Sequence, residues 1–207
     1  TPTDMVVTLS YSGYAKAQPV ADYQAQRRGG KGRIATRNKD EDFVRTMFVA
    51  NSHDTILCFS SAGKVYWLKV YQLPQAGRHA RGRPLVNLLP LEQDERITAF
   101  LRLGEYPAGH FIFMATRNGT VKKCAISSFA RPRSTGLRAI ELMDDDELVA
   151  VNLTTGTSNV LLFGSTGKAI RFHEKEVREM GRSARGVRGI ALKSGQSVIS
   201  MITVEEG

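Results

Sequence analysis

A hairpin that recurs four times limits what this chain can fold into more than any other feature. Residues 6–16, 56–66, 112–122 and 160–170 each read as an apolar run, a short polar turn closed by glycine, and a second strand-like run. The turn glycines Gly13, Gly63, Gly119 and Gly167 stand 50, 56 and 48 residues apart. Asn118-Gly119 is a strong hairpin signal, and the other three turns also end in glycine.

The same segments follow each hairpin. A short polar connection leads into a Gly/Arg-rich loop: Gln26-Arg27-Arg28-Gly29-Gly30-Lys31-Gly32, then Arg78-His79-Ala80-Arg81-Gly82-Arg83, Arg131-Pro132-Arg133-Ser134-Thr135-Gly136, and Arg182-Ser183-Ala184-Arg185-Gly186-Val187-Arg188. A third strand is expected at 85–88, 139–142 and 189–192, with 32–36 a weaker first copy. An acidic turn comes next (Asp40-Glu41-Asp42, Glu92-Gln93-Asp94-Glu95, Asp144-Asp145-Asp146-Glu147), replaced in the fourth repeat by Ser194-Gly195-Gln196-Ser197. A fourth strand at 46–49, 97–101, 148–151 and 198–202 closes each unit.

Four short strands per unit of about fifty residues predict an all-β, propeller-like fold built from four-stranded blades. The approximate repeats are 1–50, 51–103, 104–154 and 155–207. One continuous sandwich would leave the regular glycine spacing unexplained. Helix content is expected to be low, with Val177-Arg178-Glu179-Met180 adding at most one turn.

Charge is sorted within the repeat, cations between strands two and three and acids between strands three and four. The balance is 29 Lys and Arg against 20 Asp and Glu, a net +9, which favours a polyanionic partner. Radial stacking would bring Arg27, Arg28, Lys31, Arg78, Arg81, Arg131, Arg133, Arg182 and Arg185 into an arc suited to a bent duplex held by its phosphates, without base readout. If about eight phosphates were neutralised, log K would fall with log[salt] at a slope near −7. Arg33, Arg83, Lys122, Lys123 and Arg188 are further candidates from the same segments. The competing reading is of solvated loop arginines that serve turn geometry and solubility. Tyr14 reads either as a packing residue or as one that stacks on or hydrogen-bonds to a ligand. Lone Trp67 reads as core.

No phosphate-loop motif, HExxH or nucleophile elbow is present, so nothing supports catalysis by this chain. His53, His79, His110 and His173 are scattered and read as surface or turn residues, and no metal or other cofactor is expected. Cys58 and Cys124 stand apart and read as reduced, buried thiols of a cytosolic protein. No stretch is long and apolar enough for a membrane span. The start, Thr1-Pro2-Thr3-Asp4, is no signal peptide and lacks Met, so the chain reads as a piece of a longer protein.

The stretch from Tyr23 to Gly32 resembles the seven-residue signature box of the bacterial DNA gyrase A C-terminal domain family, complete from Gln26 to Gly32. Residues 70–74, 82–91 and 114–123 resemble the same family. The resemblance implies a β-pinwheel whose blades exchange strands, here an incomplete set of blades with exposed edge strands. It implies a non-catalytic domain that wraps double-stranded DNA around a basic rim, with Arg27, Arg28 and Lys31 on phosphates. The cleavage tyrosine and the ATP- and magnesium-using ATPase would lie elsewhere, in an A2B2 assembly of gyrase A with gyrase B in the bacterial cytoplasm, at the nucleoid. The alternatives are the equivalent domain of a topoisomerase IV-like protein, whose box is degenerate or absent, and a propeller-type module whose rim binds an acidic protein.

Overall fold

The computed structural model describes residues 1–29, 43–77, 79–106 and 108–205. Its first hairpin is β1 (Asp4–Ser10) and β2 (Tyr14–Pro19), followed by α1 (Val20–Gly29) and β3 (Val44–Asn51). The second repeat supplies β4 (Thr55–Ser60), β5 (Lys64–Lys69), β6 (Arg83–Pro84) and β7 (Ile97–Leu103). The third supplies β8 (Phe111–Thr116), β9 (Thr120–Ala125), β10 (Leu137–Arg138) and β11 (Leu148–Thr154). The fourth supplies β12 (Ser158–Gly164), β13 (Ala169–His173), β14 (Val187–Arg188) and β15 (Val198–Glu205).

These strands form four small sheets, ordered β3-β1-β2-β6, β10-β5-β4-β7, β11-β8-β9-β14 and β13-β12-β15. The all-β class is thus observed, and so is strand exchange. The short third strand of a repeat pairs with the hairpin of the repeat before it: Ala15 with Arg83, Val65 with Leu137, and Val121 with Val187.

This corrects the expected third strands in length and place. They span two residues each, immediately after the loop glycines Gly82, Gly136 and Gly186. The backbone then curls instead of continuing a ladder. The carbonyl of Gly63 accepts from both Ala139 and Ile140 (2.8 and 3.1 Å), and that of Gly119 from both Gly189 and Ile190 (2.8 and 3.3 Å). Residues 85–87 form a 3-10 turn instead of a strand, with Leu85 buried. The copy expected at 32–36 and the acidic turn at 40–42 lie outside the described residues.

The helix expectation is corrected twice. Residues 177–180 are not helical; the turn lies just before them, at Glu174–Glu176. A ten-residue helix, α1, stands where a polar connection was expected. Ala21, Gln24, Ala25, Gln26, Arg27 and Arg28 lose little side-chain freedom in a helix. Asp22 in the first turn and Arg27 and Arg28 in the last suit the helix dipole. Trp67 is half-buried, not core, its indole N–H donating to the carbonyl of Phe129 at 2.9 Å.

The described residues divide into two compact units. One comprises 1–56, 68–92 and 102–104, the other 57–67, 93–101 and 105–207. In the first, Val7, Leu9, Ala15 and Ala17 of the β1–β2 hairpin are fully buried, and α1 packs on both strands. In the second, Phe113, Val121, Val160, Leu162, Ile190 and Val198 belong to one apolar cluster. Cys58 and Cys124 are both buried. Among the described residues no helix is long and apolar enough to cross a membrane.

The acidic turn of the third repeat folds back on its own hairpin turn. Asn118 N–H donates to Asp146 Oδ1 at 2.9 Å, and the Arg117 guanidinium donates to the carbonyl of Asp145. Arg96 Nη2 donates to Glu147 Oε2 at 2.7 Å, with Arg117 Nη1 3.6 Å from that oxygen. The Arg96 hydrogen bond holds the Glu147 carboxyl below its ordinary range; burial opposes this, and the two arginine charges reinforce it. The folded chain therefore binds this proton less readily than the unfolded chain. The resulting stability is present above the unfolded value of about 4.3 and is lost as pH falls through the lowered folded value. Glu147→Gln should lower the melting temperature by at most a few degrees at neutral pH, because the pair is partly exposed. Melts repeated at about pH 3 should bring the two proteins together; a gap that persists there would refute the ionic account.

Candidate nucleic-acid interface

The basic segments are held by one face of a hairpin's second strand. Along β2, Tyr14, Lys16 and Gln18 alternate and so share a face. Gln18 Nε2 donates to Gln26 Oε1 at 2.8 Å, tying the box to the strand. Lys16 Nζ donates to the carbonyls of Gly77 (3.0 Å) and Ala80 (2.9 Å), tying down the loop of the second repeat. The Arg81 guanidinium lies 4.4 Å from the centroid of the Tyr14 ring. Tyr14 thus supports an arginine, a cation–π contact that leaves the guanidinium edge accessible.

The first four box residues, Gln26 to Gly29, end α1, with Arg27 and Arg28 exposed. Gly30, Lys31, Gly32, Arg33 and Arg78 lie outside the described residues. Arg81 is exposed in its loop, and Arg83 is exposed on β6.

In the second unit the loops of repeats three and four meet. Glu141 N–H donates to the carbonyl of Ala184 at 3.1 Å, and Arg185 Nε lies 3.4 Å from Glu141 Oε2. Arg131, Arg133, Arg185 and Arg188 are exposed, and Arg182 is half-buried. Arg138 on β10 is an exposed cation that the sequence reading missed.

The loop glycines have a packing reason. Gly82, Gly136 and Gly186 hold φ of +87°, +77° and +92°, a region unfavourable to side chains. A Cβ at Gly136 would sit 2.6 Å from Cε1 of Tyr66; one at Gly82 or Gly186 would fall on the carbonyl oxygen of Ala15 or Val121. Close approach of strand to strand accounts for these glycines without an anion.

Two candidates are corrected. Lys122 is fully buried, its Nζ donating to the carbonyls of Arg182 (2.6 Å) and Ala139 (2.7 Å). Lys123 is buried on the opposite face, 3.6 Å from Glu174 Oε1 and 4.6 Å from the Phe111 ring centroid. Four successive buried residues on β9 show that both faces of the strand are covered, so neither ammonium reaches an external phosphate. Among the described residues no three His, Cys, Asp or Glu side chains group as a metal site.

The family model described as "DNA gyrase C-terminal domain, beta-propeller" matches residues 4–51, 54–103, 110–155 and 158–205. DNA gyrase A of Salmonella typhimurium is 60% identical over 199 residues, covering 96% of this chain and 23% of that protein. DNA gyrase A of Escherichia coli K12 is 58% identical over 202 residues, covering 98% of this chain and 23% of that protein. The chain thus spans about a quarter of the length of these relatives. The crystal structure of the C-terminal domain of DNA topoisomerase IV superposes with a TM-score of 0.82 at 29% identity, covering all of this chain and 62% of that one. A DNA gyrase A C-terminal domain gives 0.70 at 22% identity, over 97% of this chain and 65% of that one, a likeness of fold alone.

Proposed function

The chain belongs to the DNA gyrase C-terminal domain family, and from that premise we propose that it is a non-catalytic DNA-binding and DNA-wrapping domain of a DNA gyrase A protein. The exposed arginines that follow successive hairpins carry the reading: Arg27 and Arg28 at the end of α1, then Arg81, then Arg131 and Arg133, then Arg185 in loops. They recur at one place in the repeat, on backbone anchored to the preceding hairpin. Guanidinium groups so placed grip phosphates without reading bases. DNA cleavage and ATP hydrolysis belong to other parts of an A2B2 assembly with gyrase B, acting in the cytoplasm at the nucleoid. Lys31 completes the box as a third phosphate contact beside Arg27 and Arg28.

The test is topological. The chain is bound to nicked circular DNA, the nick is ligated, the protein is stripped and the linking number counted at low and moderate salt. A shift of one sign that grows with bound protein and fades with salt is expected. Tight, salt-sensitive binding without a shift would reject wrapping by this chain and retain binding. No binding at low salt would overturn the reading in favour of a module for an acidic protein.

Two variants probe the contacts. Joint replacement of Arg131, Arg133 and Arg185 by alanine should make the slope of log K against log[salt] less negative by about 3. An unchanged slope would remove these loops from the interface. Glu141→Gln should strengthen duplex binding about two-fold at low salt, because the exposed Glu141–Arg185 pair competes weakly with phosphate. Weaker binding on titration with labelled duplex would mean that Glu141 supports the arginine.

A further inference from the structure

Every hairpin carries a lysine one or three residues past its turn glycine: Lys16, Lys64, Lys122 and Lys168. Three of them reach into the following repeat. Lys16 Nζ bonds the carbonyls of Gly77 and Ala80, Lys64 Nζ that of Thr135 at 3.3 Å, and Lys122 Nζ that of Arg182 as well as that of Ala139 in its own repeat. Lys168 instead bonds the carbonyl of Ala191 in its own repeat, at 2.8 Å. We infer that Lys16, Lys64 and Lys122 are positioning residues that fix the backbone of the next repeat's basic loop and so set the direction of its arginines. This rests on the DNA-binding reading above.

An ammonium offers three donors and no acceptor, so it can gather loop carbonyls that no ladder uses. Such charge-assisted bonds are stronger than neutral ones. They also orient the chain. The described peptides are all trans, so a carbonyl turned toward the lysine sends the next N–H the opposite way. Ala80 and Arg182 both face a lysine; the N–H groups of Arg81 and Ser183 therefore point away from the strand. Burial lowers the proton affinity of both Lys16 and Lys122. That cost is characteristic of a lysine drawn into the structure, not of one left in solvent to meet a phosphate. At the matching position of the second hairpin stands Tyr66, whose hydroxyl donates to buried Glu95 at 2.8 Å. There the anchor has moved two residues back along the same face, to Lys64.

The test compares Lys122→Met and Lys16→Met with the unaltered chain by thermal melting, amide hydrogen exchange and duplex binding across a salt series. With Lys122 replaced, exchange across residues 182–186 should rise at least about ten-fold over that in the other loops. The salt slope should become less negative by about 2, because Arg182 and Arg185 are lost together. A lysine that touched one phosphate itself would change the slope by about 1 and leave exchange alone. A folded Lys122→Met chain with unaltered exchange and slope would overturn the inference. Should that variant fail to fold, Lys16→Met, whose side chain is half-exposed, is judged by the same readouts on residues 79–81. If the unaltered chain binds no DNA, the functional reading fails, whereas the exchange data still decide whether the lysines hold the loops.

Discussion

Glu174→Ala is expected to destabilise the chain by about 4 kcal/mol and to lower its melting temperature by roughly 8–16 °C at this size. Glu174 is fully buried. Its Oε2 accepts from the N–H groups of Ser158 (2.7 Å) and Gly156 (3.0 Å), and its Oε1 accepts from Thr154 Oγ1 at 3.0 Å with Lys123 Nζ 3.6 Å away. Truncation leaves two N–H donors and the Thr154 hydroxyl without their acceptor, and it strips the counter-charge from the Lys123 ammonium, which keeps only the Glu174 carbonyl at 3.2 Å, in a site closed to water. An unmatched buried charge is the larger part of that penalty. Glu174→Gln keeps the shape and part of the accepting capacity, so it should cost about half as much. Adding Lys123→Met to Glu174→Ala should recover part of the loss, because the stranded cation is gone; the double-mutant cycle measures this coupling. Chemical and thermal denaturation of the four chains decides the matter. A Glu174→Ala chain within 1 kcal/mol of the original would show that the network is not a stabilising device. Lys123 then belongs to folding and not to the interface, so its replacement should alter stability while leaving the salt slope of DNA binding where it was.

The hairpins were legible because two strong signals coincide at each: a short apolar run and a glycine at a tight turn. Their recurrence at Gly13, Gly63, Gly119 and Gly167 gave the repeat. Ownership of the third strand was not legible from the residues. Arg83–Pro84, Leu137–Arg138 and Val187–Arg188 are too short to show alternation, and nothing in two residues says which hairpin they join. The family resemblance implied exchange, and the pairing of Ala15 with Arg83 shows it. Helix α1 was hidden by its surroundings, although Asp22 near its start and the glycine-free run from Ala21 to Arg28 were signals in plain view. Lys122 and Lys123 misled for a different reason. A lysine is almost always exposed unless paired, and here carbonyls from a distant loop and a distant glutamate supply the partners. The one available clue was positional, in that lysine recurs on the same strand of every hairpin, so its role belongs to the repeat instead of to the surface.

Gly186→Ala should cost about 3 kcal/mol, whereas Gly167→Ala should cost about 1 kcal/mol. The two differ in surroundings, not in backbone shape. Both glycines are left-handed, at +92° and +83°, and an L side chain pays roughly 1–2 kcal/mol there. A Cβ at Gly167 meets nothing within 4 Å. At Gly186 it falls on the carbonyl oxygen of Val121 and lies 3.0 Å from Thr120 Cγ2. That oxygen belongs to β9 beside the Val121–Val187 pair, so relief requires β14 to draw back from the sheet. Melting temperatures should therefore fall by roughly 6–12 °C and 2–4 °C respectively. The loss should also reach the interface, because Arg185 and Arg188 flank the displaced glycine and strand. Gly186→Ala should weaken duplex binding under conditions where it is still folded, and Gly167→Ala should not. If the two variants melt together, the loop glycine is not what seats the exchanged strand. If they melt apart but bind DNA equally, strand exchange holds the fold without aiming the arginines.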